Sequence, residues 1–154
     1  VTGPGVVFEK VEPDDPRAVE LFRAHTRMGA EALGLPAPHP TSVSEGLEPP
    51  AGALLLATLE GEPVAIGGVR DLDRPAAEIK AMYVAPSTRR RGIGGRLLVR
   101  LEEIAADHGC AATRLDTLAV LEAAVALYEA RGYERVPDYN QSPHADRWYE
   151  RDLS

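Results

Sequence analysis

Residues 83–98 read YVAPSTRRRGIGGRLL, and in that stretch Arg89, Arg90 and Arg91 run directly into Gly92, Ile93, Gly94, Gly95 and Arg96. Both halves of the run suit an anion, phosphate above all. Arginine supplies charge-assisted hydrogen bonds to phosphate oxygens, and glycine lets a ligand approach the main chain closely. A helix starting at the glycines would aim its first unpaired N–H groups, and the positive end of its dipole, at the same spot. Two familiar phosphate patterns are not met. The dinucleotide fingerprint GxGxxG begins at Gly92 and Gly94 but finds Leu97 at its third glycine, and GxxxxGK[ST] is absent. An ordinary solvated loop before a helix is the alternative reading of the same residues.

The arginines stand out against an opposing background. The 154-residue chain carries 17 Lys and Arg against 24 Asp and Glu, a formal net charge of -7. That balance opposes broad binding to nucleic acid or to an anionic membrane, each of which calls for a basic footprint. The single cysteine, Cys110, excludes an intramolecular disulfide framework and a multi-cysteine zinc site. His25, His39, His108 and His144 show no ligand spacing, so no metal is expected. No apolar run approaches the roughly 20 residues of a membrane-spanning helix, and VTGPGVVFEK lacks the apolar core of a signal peptide. The expectation is a cytoplasmic protein of one domain, residues 1–154.

The elements that would position the arginine-glycine turn follow from periodicity and end signals. Val6–Val11 reads as a strand. Asp15, Pro16 and Gly34 mark the N-cap, first position and C-cap of a helix whose Ala18, Leu21, Phe22 and Met28 face a core. Prolines at 36, 38, 40, 49 and 50 make Leu35–Pro50 a long loop, with a short helical turn expected near SVSEG. Two strand-like runs flank a hairpin turn at Glu60-Gly61-Glu62, and AAEIKAMYVA adds a third strand that stops at Pro86. A helix is expected over Gly92–His108, a strand over Ala112–Thr117, a helix over Glu122–Arg131, and strands at YERVP and ADRWYERDL. The order describes one α/β domain with a mixed, mostly antiparallel sheet and helices on both faces.

Arg89-Arg90-Arg91-Gly92-Ile93-Gly94 matches [Q/R]-x-x-G-x-[G/A], and Met82-Tyr83-Val84-Ala85-Pro86 stands ahead of it as a strand ending in a valine-x-proline segment. Further on, ALYEARGY matches A-x-x-L-Y-x-x-x-G-[F/Y]. With these two motifs the chain resembles the GCN5-related N-acetyltransferase (GNAT) superfamily, from about Gly52 to its end. The resemblance implies a GNAT-type single domain whose sheet is splayed by the cofactor, between the strands at Ala77–Val84 and Ala112–Thr117. It implies acetyl-CoA as co-substrate and direct attack by a primary amine of a small metabolite. A protein or peptide amine, and a non-catalytic module that binds acyl-CoA, remain the alternatives. Many relatives form dimers, so a homodimer stays open, with Trp148 as a candidate interface residue.

The resemblance also distributes roles. Main-chain groups around Met82, Tyr83 and Val84 would pair with the pantetheine arm. Arg89, Arg90, Arg91, Gly92, Ile93, Gly94, Gly95 and Arg96 would surround the pyrophosphate, chiefly through main-chain N–H groups. Tyr128 would protonate the departing thiolate; otherwise it is a core aromatic. Glu78 matches the position of a glutamate that acts as base through water. Alternation puts it on the same sheet face as Val84, and partial burial would raise its pKa. Its other reading is a strand charge paired with Lys80 or an arginine. A polar residue frequent early in the second motif is missing, since Leu118, Val120 and Leu121 stand there. His25, Tyr139, Asn140 and Trp148 are candidates for the acceptor side.

Overall fold

Helix α1 (Pro16–Leu33) begins and ends where its end signals predict. The Asp15 side chain accepts a hydrogen bond from the Arg17 N–H at 2.9 Å, Pro16 opens the helix, and Gly34 closes it at φ 68°. Ala18 and Phe22 are buried, while Leu21 and Met28 are half-buried. The computed structural model describes residues 5–154; the first four, part of the segment read as free of a signal peptide, lie outside it.

Strand β1 (Val6–Lys10) pairs antiparallel with β2 (Ala53–Leu59), which continues through β3 (Glu62–Arg70) and β4 (Ala76–Val84) as a meander. The β2–β3 turn puts Glu60 and Gly61 at φ 51° and 84°, the paired positive angles of a tight hairpin. A single 3-10 turn at Pro86–Thr88 leads into α2 (Ile93–Asp107), and the chain returns as β5 (Ala112–Thr117) parallel to β4. Then come α3 (Glu122–Ala130), β6 (Glu134–Val136) and β7 (Arg147–Asp152), giving a seven-stranded sheet in the order β1-β2-β3-β4-β5-β7-β6. Two placements bear on the expectations above. The chain's last strand inserts between β5 and β6, so Trp148 sits on an internal strand and not at an edge. The segment SVSEG forms no helical turn; a simple turn at Glu45 and Gly46 replaces it.

The sheet has helices on both faces. Under α2 and α3, Leu97, Leu98, Leu101 and Ala105 pack with Leu55, Val69, Ile79 and Leu115. Under α1, Ala18 and Phe22 meet Leu54, Leu56 and Ile66, and the loop residues Val43 and Leu47 complete the cover. Close approach is built into β3. A Cβ on Gly67 would come within 2.6 Å of Met82 Sδ and 2.9 Å of Leu101 Cδ1, so any side chain there would have to displace those side-chain ends. On the opposite face, a Cβ on Gly68 would come within 2.7 Å of Leu47.

Candidate active site

Strands β4 and β5 pair only over Ala76–Glu78 and Ala112–Arg114. Beyond that point β4 stays with β3 as far as Val84, and β5 stays with β7 as far as Thr117, so the two part like a fork. A bulge shapes the upper arm. Between the pairs Gly68↔Lys80 and Ile66↔Tyr83, β4 has one more residue than β3, and Ala81 adopts φ 59°. Such an insertion bends a strand and reverses its alternation. Ala77 and Ile79 face α2 before the bulge, and Met82 and Val84 face it afterwards, while Ala81 and Tyr83 join the α1 side. The expected placement of Glu78 and Val84 on one face is therefore overturned by that extra residue.

Past the far end of the β4 arm the arginine-glycine turn is open to solvent. Arg89, Arg90, Arg91 and Gly92 are exposed, Arg90 and Gly92 take φ 69° and 74°, and no side chain caps α2. Its first N–H groups, which have no partner within the helix, are thus free of a competing cap. Arg89 folds back, donating from Nε to the Val84 carbonyl at 3.1 Å. The Ile93 side chain is buried in the core, so only its main chain can face a ligand. The Arg96 guanidinium lies 5.0 Å over the Phe8 ring, directed to β1. Gly94 is packed, since a Cβ there would meet Val84 Cγ2 at 3.2 Å and Leu127 Cδ2 at 3.4 Å; at Gly95 a Cβ would meet only Leu127, at 3.9 Å. A turn with bare main chain, uncapped N–H groups and flanking arginines fits a pyrophosphate.

A cavity of about 520 Å3 fills the fork. Ile79 to Met82 of β4, Asp116 and Thr117 of β5, and Tyr128 of α3 form its floor, and α1 supplies Phe22, His25 and Met28. Leu35, Pro36 and Pro38 from the long loop, with Ser142 and His144 from the segment before β7, form the rim. Leu118 and Leu121 supply apolar wall in place of the missing polar residue. Tyr128 is buried against Tyr133 and Tyr149, with ring centroids at 6.0 and 6.5 Å. Burial, helped by the nearby Asp116 charge, pushes its phenol well above the ordinary range, so it stays protonated at neutral pH.

Glu78 does not line this cavity. It is buried beside it, with Oε1 bonded to Arg70 Nε at 2.9 Å and Nη2 at 2.8 Å, and Oε2 accepting from Tyr139 Oη at 2.6 Å and Asn140 Nδ2 at 3.4 Å. Burial acts to raise its pKa, but the Tyr139 hydrogen bond and the Lys80 and Arg70 charges outweigh it, so the net shift is downward. The expected raised pKa is thus reversed: partners that hydrogen-bond the charged form compensate its burial. The pairing with an arginine, the alternative given to Glu78 above, is the one observed. Asn140 carries the network onward, donating to Asp116 Oδ2 at 2.6 Å and accepting from Trp148 Nε1 at 2.9 Å.

Asp116 and Lys80 were missed as site residues. The signal for Asp116 was its alternation: in the half-buried strand ATRLDT it points opposite to Leu115, which is buried in the core under α2. Lys80 Nζ stands 3.7 Å from Asp116 Oδ1. Among the described residues no group of three or more His, Cys, Asp or Glu could hold a metal ion, and no helix is long and apolar enough to cross a membrane.

A forked sheet with an anion-receptive turn past one arm and a partly open cavity between its arms suits a group-transfer enzyme. The chain belongs to the Acetyltransferase (GNAT) family, whose model matches residues 31–133. It is 34% identical over 93 residues to the uncharacterized N-acetyltransferase YjgM of Escherichia coli, a match covering 58% of this chain and 55% of that protein. A Klebsiella pneumoniae protein assigned to the acyl-CoA N-acyltransferases superposes with a TM-score of 0.79 at 26% identity, over 97% of this chain and 98% of the other. The Salmonella typhimurium protein yncA, solved with its cofactor acetyl-CoA, gives a TM-score of 0.65 over 97% and 95% of the two chains; at 16% identity it shares the fold alone.

Proposed function

We propose that the protein transfers the acetyl group of acetyl-CoA to a primary amine of a small metabolite. The observation that carries this reading is the cavity at the β4–β5 fork, with the protonated Tyr128 on its wall. Acetyl-CoA supplies an activated acyl carbon and a thiolate leaving group. The chain's own residues do the rest. The turn from Arg89 to Gly95 would hold the pyrophosphate through its N–H groups and arginines. Main-chain groups of β4 past Glu78, left without a β5 partner, would pair with the pantetheine arm.

Tyr128 would donate its proton to the departing sulfur, and the fork would hold the amine in line with the acyl carbon. Across the reaction a C–N bond forms and a C–S bond breaks. Of the two protons lost by an ammonium acceptor, one ends on the thiol and one in solvent. Glu78, with a lowered pKa and both oxygens engaged, is proposed as a positioning residue that holds Asn140 and, through it, Asp116. The cavity's size favours a metabolite over an extended peptide, which would need a groove continuing past the rim. Released thiol, followed with acetyl-CoA and a panel of small amines, tests the proposal. Turnover of at least one small amine is expected. Tight CoA binding with no thiol release above background for any of them would instead favour a non-catalytic binding module, and turnover of peptide amines alone would overturn the small-acceptor choice.

A further inference from the structure

Among the described residues lining the cavity, Lys80 is the one lysine or arginine and Asp116 the one carboxylate. Met28, Leu33, Leu35 and Pro36 supply an apolar part of the wall beyond them. We propose that this cavity is built for an α-amino acid, or a similar amino carboxylate with an apolar side chain, with Lys80 and His25 receiving the carboxylate and Asp116 the ammonium. The inference rests on the reading that the cavity holds the acceptor.

The separation of the two charges is informative. At 3.7 Å, Lys80 Nζ is beyond hydrogen-bond length of Asp116 Oδ1, so that carboxylate does not satisfy the ammonium's three donors. The other oxygen of Asp116 is held by Asn140 at 2.6 Å, which fixes the carboxylate's orientation. Two opposite charges held side by side complement a molecule whose ammonium and carboxylate share one carbon. A simple alkylamine would match only Asp116 and would seal Lys80 against an apolar ligand, a costly arrangement for a charge.

His25 adds a neutral donor. Its ring lies between Phe22 and Tyr83, with centroids at 5.9 and 6.2 Å, and its Nδ1 is sealed from solvent with no partner. A sealed nitrogen lacking an acceptor holds a lone pair at lower cost than a proton, which assigns the proton to Nε2, the nitrogen left for the cavity. Burial and the Lys80 charge hold the imidazole at a pKa of about 4, so it is neutral at pH 7. His25 is carried by α1 on one face of the sheet, and Tyr128 by α3 in the core of the other, with Lys80 and Asp116 on the two arms between them. The carboxylate end of a ligand would lie toward α1 and the amine end toward Tyr128, where the C–N bond forms.

The test uses matched acceptors: L-methionine and L-phenylalanine, their methyl esters, and the amines formed by removing their carboxylates. Thiol release from acetyl-CoA should favour the free acids over their esters by ten-fold or more in kcat/KM. Lys80→Met should cut that ratio at least ten-fold, chiefly through KM for the acid, and His25→Phe should cut it a few-fold. If Lys80→Met does not fold, Lys80→Gln should move the ratio in the same direction. Independently of turnover, L-methionine added to the parent protein without acetyl-CoA should raise the His25 pKa seen by NMR, because a carboxylate arrives beside the ring. Esters and simple amines used as well as the acids, with Lys80→Met leaving the ratio unchanged, would overturn the amino-carboxylate inference and leave the acetyltransferase reading standing. No thiol release with any amine, despite acetyl-CoA binding, would instead overturn the reading on which it rests.

Discussion

Two buried glutamates sit on opposite sides of the sheet in closely similar surroundings, and they differ in what lies at the far end of each network. Glu102 of α2 accepts from Arg131 Nε at 2.9 Å and from Tyr133 Oη at 2.9 Å, with Arg151 at 3.5 Å; Tyr133 in turn meets Thr113 Oγ1 at 2.7 Å. That hub joins α2, the end of α3, β5 and β7, and it stops in the core. Glu78 has the same kind of partners in Arg70 and Tyr139, but its network continues through Asn140 to Asp116 on the cavity wall. Arg70 also reaches the long loop, donating to the Glu45 carbonyl at 2.9 Å. The lesson is that a buried carboxylate with an arginine and a tyrosine on it is first a fastening. Its bearing on function depends on which elements it fastens.

Removing each fastening should separate the two. Glu102→Ala leaves Arg131 and Tyr133 without their carboxylate, and a broken buried ion pair typically costs about 3–5 kcal/mol. Denaturant unfolding should show a loss of that size, with CoA affinity kept where the variant is folded. Glu78→Gln should cost less, about 2–3 kcal/mol, because Gln retains acceptor capacity for Tyr139 and Arg70 is partly solvated. It should also lower turnover by a similar factor across the pH range. Recovery of its rate at high pH would restore Glu78 as the base. Because the Glu78 pKa is lowered on folding, its contribution to stability is present above the ordinary glutamate value of about 4.3 and is lost as pH falls through its lower folded value. Acid unfolding of Glu78→Gln should lack that component.

A matched pair of smaller deletions sharpens the contrast. Tyr133→Phe and Tyr139→Phe each remove one hydroxyl donor to a buried carboxylate, worth roughly 1.5–3 kcal/mol. Both should lower the midpoint of unfolding, but only Tyr139→Phe should also lower kcat/KM, because only its hub reaches Asp116. Equal kinetic effects would remove the distinction between the hubs.

The contrast also shows what could be read in the residues alone. The caps of α1, the β2–β3 hairpin and the element order were all legible, because each is set by local conformational preference. The two motifs located the turn and Tyr128. The bulge at Ala81 was not legible, since alanine carries no signal for a positive φ, and it reversed the facing of every β4 residue after it. The insertion of β7 beside β5 was equally silent, and with it the contact of Trp148 with Asn140. Glu78 was expected to be a base, and that expectation rested on alternation and burial alone. Its partners decide its charge state, and they come from residues 70, 139 and 140, which only the fold brings together.

The smallest expected change in stability is at the turn. Gly95→Ala places a methyl in open contact near Leu127 and should stabilise the ligand-free protein by about 0.5–1 kcal/mol through helix preference. If the main chain there receives the pyrophosphate, CoA affinity should nevertheless fall several-fold. Gly94→Val is a poorer probe, because its side chain would press on Val84 and Leu127 whether or not a ligand binds.

The most direct test of the whole account is the rate of thiol release by Tyr128→Phe at saturating acetyl-CoA and amine, from pH 6 to pH 10. Transfer at the fork, with Tyr128 protonating the leaving sulfur, predicts at least a ten-fold lower kcat at every pH, since burial keeps the parent phenol protonated throughout. CoA affinity should stay within a few-fold of the parent. A Tyr128→Phe protein that turns over as fast as the parent across that range would contradict the placement of the chemistry at the fork.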